Sequence, residues 1–185
     1  VMQVEGQLLQ GGEVKTQIIA CFGVQRFATL QITPPIKVFP EKSLQVPFIE
    51  NMMPEFVQHL DMKYTSEHMP FSGSSEARVN GWVRFVNPPS AFTDAALVAL
   101  IDAWPPAVLP MLERVAPSSS ITWNIEFLNP RTALNTSDYI YYDCEAVQAA
   151  AGYAHTEAKI FNQDGQLIAL SRQMVGVYEK KVTGV

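Results

Sequence analysis

The sequence predicts an α+β fold in which one curved antiparallel sheet wraps around a single central helix. Two observations carry this prediction. The segment 120–128 (SITWNIEFL) alternates apolar and polar residues, a period of two that is typical of an antiparallel strand with one covered face. The segment 93–104 has the length of a helix but is apolar on nearly every side, so it must be buried on most sides. One sheet that curls around one helix satisfies both patterns.

A repeated hairpin indicates where chemistry is to be expected. The segments 5–24 and 157–177 each contain an apolar run, a glycine turn and a second apolar run, which is the sequence form of a β-hairpin. When the turns are aligned, Ala20 stands where Gln173 stands. The two copies share their apolar positions and differ at this polar one, so we look for a functional site in the second half of the chain.

The repeat also predicts the domain organisation. We expect residues 1–31 to be the remnant hairpin of an incomplete N-terminal domain, 32–54 to be a linker rich in proline, and 55–185 to be the main domain. A hairpin of two strands is marginal alone in water, and only Val1 to Val4 precede the first copy. We therefore expect that most of a first domain is missing from this sequence. The alternative is that the hairpin extends the sheet of the main domain.

The elements of the main domain follow in a simple order. Thr93 is a suitable N-cap for the helix, and Asp94 places an acid in its first turn, while Pro105 and Pro106 end it. The predicted strands lie at 56–66, 81–86, 120–128 and 138–149, followed by the two strands of the second hairpin.

The composition excludes several classes of protein. A hydrophobic share of 48% and a net charge of −5 without a basic stripe argue against disorder and against a nucleic-acid surface, and no apolar run has the length of a membrane span. Cys21 and Cys144 lie in apolar runs, where we expect reduced core residues of a cytoplasmic protein. His59, His68 and His155 lack the spacing of a metal site, and no Gly-rich phosphate loop lies at a strand-to-helix junction. We therefore expect no metal and no organic cofactor.

Asp102 is the most informative candidate residue. It is the only charged residue between Asp94 and Glu113, and it lies in the helix that is expected to be buried. An isolated carboxylate in such a place is costly unless it is hydrogen-bonded or used. The alternative is that Asp102 lies on a thin exposed stripe near the Pro105 break.

Two strands supply further polar candidates. Gln173 lies in the middle of a mostly apolar strand face, where its amide needs partners, although it could also be an ordinary residue of an edge strand. Ser120 begins the long strand, and Thr122 is expected to share its face two residues later. The residues alone do not decide which hydroxyl is functional, and no GxSxG motif accompanies them.

Several segments together resemble one family. They are LVALIDAWPPAVLPML (97–112), SSSITWNIEFLNP (118–130), GYAHTEAKIFNQDGQLIALSRQMVGVYE (152–179) and, ahead of the helix, PFSGSSEARVNGWVRF (70–85). Residues 56–179 resemble the C-terminal hotdog domain of double-hotdog acyl-CoA thioesterases, in the superfamily that includes the bacterial type II enzymes. Residues 1–23 resemble the end of the N-terminal hotdog.

The resemblance implies an activity and its residues. In that family an Asp on the hotdog helix, a hydroxyl residue on the next strand and a Gln on the last strand hold the attacking water. The matching positions here are Asp102, Ser120 and Gln173, and Ser120 replaces the Thr of the type II enzymes. The chain is thus expected to hydrolyse an acyl-CoA thioester to a free fatty acid and CoA, with Asp102 accepting the proton of the water. The three residues should meet at the edge of a pocket large enough for an acyl chain.

Partners and an alternative function follow from the same resemblance. A single hotdog sheet leaves edge strands uncovered, and exposed edges invite pairing, so a homodimer or a higher homo-oligomer is expected. A non-catalytic hotdog that binds an acyl chain or serves as an assembly module remains the alternative, because a fold does not determine a function.

Overall fold

The computed structural model describes residues 1–180, in which nine strands and one α-helix are found. The helix is α1 (Asp94–Asp102), and two short 3₁₀ segments cover Glu55–His59 and Leu109–Met111. The strands are β1 (Met2–Gln10), β2 (Glu13–Phe22), β3 (Leu44–Gln45), β4 (Leu60–Tyr64), β5 (Arg78–Phe85), β6 (Ser118–Phe127), β7 (Ile140–Ala150), β8 (Tyr153–Asn162) and β9 (Leu167–Val177).

The chain divides into two compact units, with the boundary between Thr33 and Pro34. The first unit contains the antiparallel hairpin of β1 and β2. Its turn is made by Gly11 and Gly12, with φ angles of 61° and 83°, which glycine adopts without the steric cost of a side chain. Cys21 is exposed on β2, so the expectation that both cysteines are core residues is wrong for Cys21, because neither strand of the hairpin has a buried face.

The second unit contains a sheet of seven strands in the order β3-β4-β5-β7-β8-β9-β6, and every neighbouring pair is antiparallel. The predicted antiparallel sheet with one helix is therefore confirmed. The second hairpin of the repeat forms β8 and β9, which turn at Gly165 with a φ of 80°. Both strands pair over nearly their whole lengths and lie between β7, the middle strand, and the edge strand β6.

The predicted helix is present, two residues shorter at its C-terminal end. Thr93 caps it, since its hydroxyl accepts a hydrogen bond from the backbone N–H of Ala96 at 3.3 Å. Pro105 disfavours helical geometry at the residue before it, which explains the earlier end. The buried residues of the helix are Leu97, Leu100 and Ile101. The exposed ones include Ala95, Ala99 and Asp102, a stripe at helical spacing, so one side of α1 is open.

Part of the predicted linker lies on the sheet of the second unit. The backbone N–H of Lys37 donates to the carbonyl of Gly165 at 2.8 Å. The ring of Phe39 packs against Trp82 and Tyr141, with ring centroids 4.4 and 4.7 Å apart. Further along, β3 pairs with β4 at the edge of the sheet. The segment from residue 34 onward therefore contributes packing and one short strand.

The strand predicted at 56–66 is only half correct. Residues Glu55–His59 form a 3₁₀ turn that follows Pro54, whose fixed φ favours the start of such a turn. The strand begins only at Leu60, the residue whose N–H bonds back to the carbonyl of Val57 and ends the turn.

One glycine allows the end of the helix to approach the sheet. A Cβ atom added at Gly81 on β5 would lie 2.1 Å from the carbonyl oxygen of Lys63 and 2.8 Å from Cη2 of Trp104. Trp104 follows α1 closely and is buried, so its ring occupies the space that any other residue at position 81 would need. The ring also stacks on Tyr142 of β7, with centroids 5.4 Å apart and planes 3° from parallel.

We predict that Gly81→Ala lowers the free energy of unfolding by about 1–3 kcal/mol, the usual cost of extra volume in a packed core. The carbonyl of Lys63 cannot move without breaking the pairing of β4 with β5, and the indole ring would have to tilt away from Tyr142. Urea unfolding followed by tryptophan fluorescence measures the change. Gly6→Ala is the matched control, because nothing lies within 4 Å of its added Cβ. Equal stability of the Gly81 variant and wild type would contradict this packing.

A half-buried carboxylate fixes the segment of Lys37 to the middle of the sheet. Asp143 on β7 accepts hydrogen bonds from Lys37 Nζ at 2.6 Å and from Arg78 Nη2 at 3.0 Å. Burial alone would raise the pKa of Asp143, but the hydrogen bonds and charges of these two cations outweigh it, and the pKa is lowered from 3.8. The native state therefore holds the charged form more firmly than the unfolded chain does.

We predict that Asp143→Asn lowers the free energy of unfolding at pH 7 by about 1–3 kcal/mol, since two cations lose a charged partner. A lowered pKa stabilises the protein above the unfolded value and ceases to do so as the pH falls through the folded one. The difference between wild type and variant should thus shrink below about pH 4. Urea midpoints at pH 7, 5 and 3 check this, with the exposed Asp164→Asn as control. A difference that does not change with pH would refute the role of the charge.

Candidate active site

Asp102 is the last residue of α1 and lies at the edge of a small cavity in the second unit. Its accessible area makes it an exposed residue, which agrees with the alternative that it lies on an open stripe of the helix. Burial nevertheless raises the pKa of Asp102 from 3.8. One side of Asp102 is open to solvent, and the other side lines the cavity together with Trp104 and Tyr142. Their rings remove water from that side, which disfavours the charged form.

A β-bulge decides the direction of Ser120. In the pairing of β6 with β9, Ser120 lies opposite Val175 and Thr122 lies opposite Met174, so Ile121 is an extra residue between them. Residues directly opposite each other share a face of the sheet. Ser120 therefore lies on the face of Val175 and Gln173. The expectation that Ser120 and Thr122 share a face is wrong, because the bulge moves Thr122 to the opposite face.

Gln173 joins this hydroxyl to the cavity. It lies on β9, half-buried, and its side-chain Nε2 donates to Ser120 Oγ at 2.5 Å. Its carbonyl Oε1 remains available as an acceptor. Since Gln173 lines the same cavity as Asp102, the structure brings all three predicted residues to one place, Asp102 and Gln173 directly and Ser120 through the amide.

The cavity is the size of one water molecule. Its volume is about 10 Å³, close to the minimum that one water needs. The residues that line it are Ile101, Asp102, Trp104, Trp123, Tyr142 and Gln173. A carboxylate and an amide in an otherwise aromatic and aliphatic lining can orient such a water, because each offers an oxygen as acceptor.

Three aromatic side chains of the lining are not among the candidates that the sequence supplies. Trp104 and Trp123 do pack in or against the core, but both also face the cavity. Trp123 lies opposite Gln173 in the sheet and donates its indole N–H to Ser171 Oγ at 2.9 Å. The pairing of β6 with β9 and the position of the helix end determine these contacts, and no signal in a single sequence reports them.

The cavity that Asp102 and Gln173 line is too small for an acyl chain. A larger cavity of about 450 Å³ exists in the second unit, but Asp102, Ser120 and Gln173 do not line it. Its lining includes Arg78, Glu126, Asp143, Glu145, Glu157, Lys159 and Arg172. Ligand pockets are mostly apolar, and this charged groove does not suit an acyl chain. A pocket of acyl size beside the three residues therefore stays a prediction.

Among residues 1–180, no group of three or more His, Cys, Asp or Glu side chains is arranged to hold a metal ion. No helix in that part of the chain is long and apolar enough to cross a membrane.

Comparison with solved structures shows the same fold. A conserved protein of unknown function with a hot dog fold from Alicyclobacillus acidocaldarius is 23% identical, with a TM-score of 0.73 over 95% of this chain and 66% of that one. The TesB protein of Mycobacterium avium subsp. paratuberculosis is 20% identical, with a TM-score of 0.64 over 96% of this chain and 70% of that one. The acyl-CoA thioesterase II TesB2 of Mycobacterium marinum is 16% identical, with a TM-score of 0.62 over 99% of this chain and 70% of that one.

The chain spans about two thirds of the length of these structures. No curated protein matches it significantly. The family model described as "Acyl-CoA thioesterase C-terminal domain" matches residues 40–177, more than half of the chain, and its range contains Asp102, Ser120 and Gln173. The hotdog fold predicted from the sequence is confirmed, and the chain belongs to the family of acyl-CoA thioesterase C-terminal domains.

Proposed function

We propose that this protein is an acyl-CoA thioesterase that hydrolyses a thioester to a free fatty acid and CoA, using a water held by Asp102, Ser120 and Gln173. One observation carries the proposal. A cavity for a single water is lined by a carboxylate of raised pKa and by an amide whose other end is fixed by a hydroxyl. Membership of the thioesterase family supports the substrate class.

The chemistry follows from the polarity of the three groups. The water donates one hydrogen bond to the Asp102 carboxylate and the other to Gln173 Oε1, while Ser120 holds the amide in this orientation. The water oxygen attacks the thioester carbonyl carbon as its proton passes to Asp102. The C–S bond then breaks, and the protonated Asp102 returns the proton to the CoA thiolate. A carboxyl group with a raised pKa suits both transfers, since it acts first as a base and then as an acid.

A second function is favoured by the size of the cavity. The small cavity beside Asp102 and Gln173 leaves no room there for a thioester, which favours a non-catalytic domain that binds an acyl chain elsewhere or serves as an assembly module. Hydrolysis assays across acyl-CoA chain lengths, with detection of the released thiol, separate the two functions. Binding without thiol release at any chain length would favour the module. A cytoplasmic location and association into a homodimer or larger assembly stay predictions from the sequence.

We predict that Asp102→Asn lowers the turnover of acyl-CoA about 10²–10⁴-fold, because it removes the group that accepts the proton and keeps its shape. Thiol release at saturating substrate is the measurement. Asp164→Asn, an exposed carboxylate in the turn between β8 and β9, is the matched control and should retain wild-type turnover.

The pH profile tests the same group independently. Wild-type turnover should fall as the pH decreases through the raised pKa of Asp102, so the acid limb should lie above pH 3.8. Residual turnover of Asp102→Asn should lack that limb. Wild-type activity in Asp102→Asn, or an unchanged limb, would remove Asp102 from the mechanism.

We predict that Ser120→Ala lowers turnover about tenfold, a rise of about 1.4 kcal/mol in the activation barrier, because the amide of Gln173 loses the partner that orients it. Thr122→Ala removes a hydroxyl two residues away on the opposite face, and it should have little effect. Ser120→Thr should keep most of the activity, since the hydroxyl is retained. Comparison of kcat and of thermal stability for the three variants is the measurement. A loss in Thr122→Ala equal to that in Ser120→Ala would show that the bulge does not select the hydroxyl.

A further inference from the structure

Trp104 carries a buried hydrogen-bond donor that has no partner. The residue is 7% exposed, and its indole Nε1 is one of two buried side-chain polar atoms without a partner among residues 1–180. Buried donors are nearly always satisfied, by protein groups or by ordered water. An orphaned N–H at this position therefore points to a partner that is neither a side chain nor a backbone group of the described chain.

The cavity that this residue lines offers a place for that partner. Trp104 lines the water-sized cavity together with Asp102 and Gln173. The other tryptophan there, Trp123, already donates its N–H to Ser171. The ring of Trp104 is held by stacking on Tyr142 and by an edge contact with Tyr64, at centroid distances of 5.4 and 5.1 Å. Among the residues that line this cavity, Trp104 thus combines a rigid position with a donor that nothing else uses.

We propose that the indole N–H of Trp104 donates a hydrogen bond to the water in this cavity and is, after Asp102 and Gln173, the third group in direct contact with it. A water molecule donates twice and accepts twice. Asp102 and Gln173 accept hydrogen bonds from its two O–H groups, and the N–H of Trp104 donates to one of its lone pairs. The second lone pair is then left pointing away from all three groups, free to attack the thioester carbonyl. Fixing the nucleophile in this way removes orientational freedom before the reaction.

The catalytic role of Trp104 rests on the proposed function. The hydrogen bond from Trp104 to the water can be tested whether or not the protein is a thioesterase. Nuclear magnetic resonance of the ¹⁵N-labelled full chain tests the contact without any substrate. The Trp104 indole signal, assigned by its loss in Trp104→Phe, should show a cross-peak to a bound water, and it should move in Asp102→Asn because the water loses its charged acceptor. Absence of both effects would overturn the proposal even if the protein were an active thioesterase.

Kinetics tests the consequence. Trp104→Phe keeps an aromatic ring against Tyr142 but has no N–H, and we expect kcat to fall about 3- to 10-fold with an unchanged KM, the effect of one hydrogen bond to the water. Trp82→Phe is the matched control, because Trp82 packs on Phe39 and Tyr141 and does not line the cavity. Equal kcat for Trp104→Phe and wild type would overturn the proposal, as would an equal fall of kcat in both variants. If no acyl-CoA is hydrolysed, the proposed function fails, and the water cross-peak alone decides the contact.

Discussion

The close approach of Trp104 to Gly81 is the packing constraint on which the site depends. Only a residue without a side chain allows the indole ring to lie against β5, since an added Cβ would come within 2.8 Å of it. The ring in turn stacks on Tyr142 of the next strand of the sheet. Because Asp102 lies two residues before Trp104, the contact that holds the end of the helix also holds the carboxylate beside the cavity. The ring of Trp104 thus contributes both to the packing of the core and to the position of the Asp102 carboxylate.

The second constraint comes from the other end of the sheet. A regular β6 would place Ser120 and Thr122 on one face, but the extra residue Ile121 separates them. Bulges often redirect a side chain next to an active site, and here the result is a hydroxyl within hydrogen-bond distance of the Gln173 amide. The packing at the end of α1 positions Asp102, and the pairing of β6 with β9 positions Ser120 and Gln173, so two independent features build the site. Their side chains nevertheless meet at one cavity, because β9 lies beside the edge strand β6 and turns the face of Gln173 toward α1.

The sequence predicts well what depends on local patterns. Alternation predicts the long strands, Thr93 and Pro105 give the bounds of the helix within two residues, and the repeat identifies both hairpins. Local patterns do not report what depends on contacts between distant elements. The bulge at Ile121 appears only in the register of β6 against β9, so the face of Thr122 was assigned wrongly. For the same reason the sequence does not single out the aromatic residues that line the cavity.

The open stripe of α1 makes the pKa of Asp102 sensitive to any surface that packs on the helix. Leu97 and Leu100 are fully buried, whereas Ala95, Ala99 and Asp102 remain exposed. Alanines at this spacing leave a smooth surface on which another element can pack closely. Any surface that covers the stripe would remove more water from Asp102 and raise its pKa further, since burial is already the cause of the present shift. The acid limb of the pH profile therefore reports on coverage of the helix as well as on the identity of the base, and its position would move upward on association at this face.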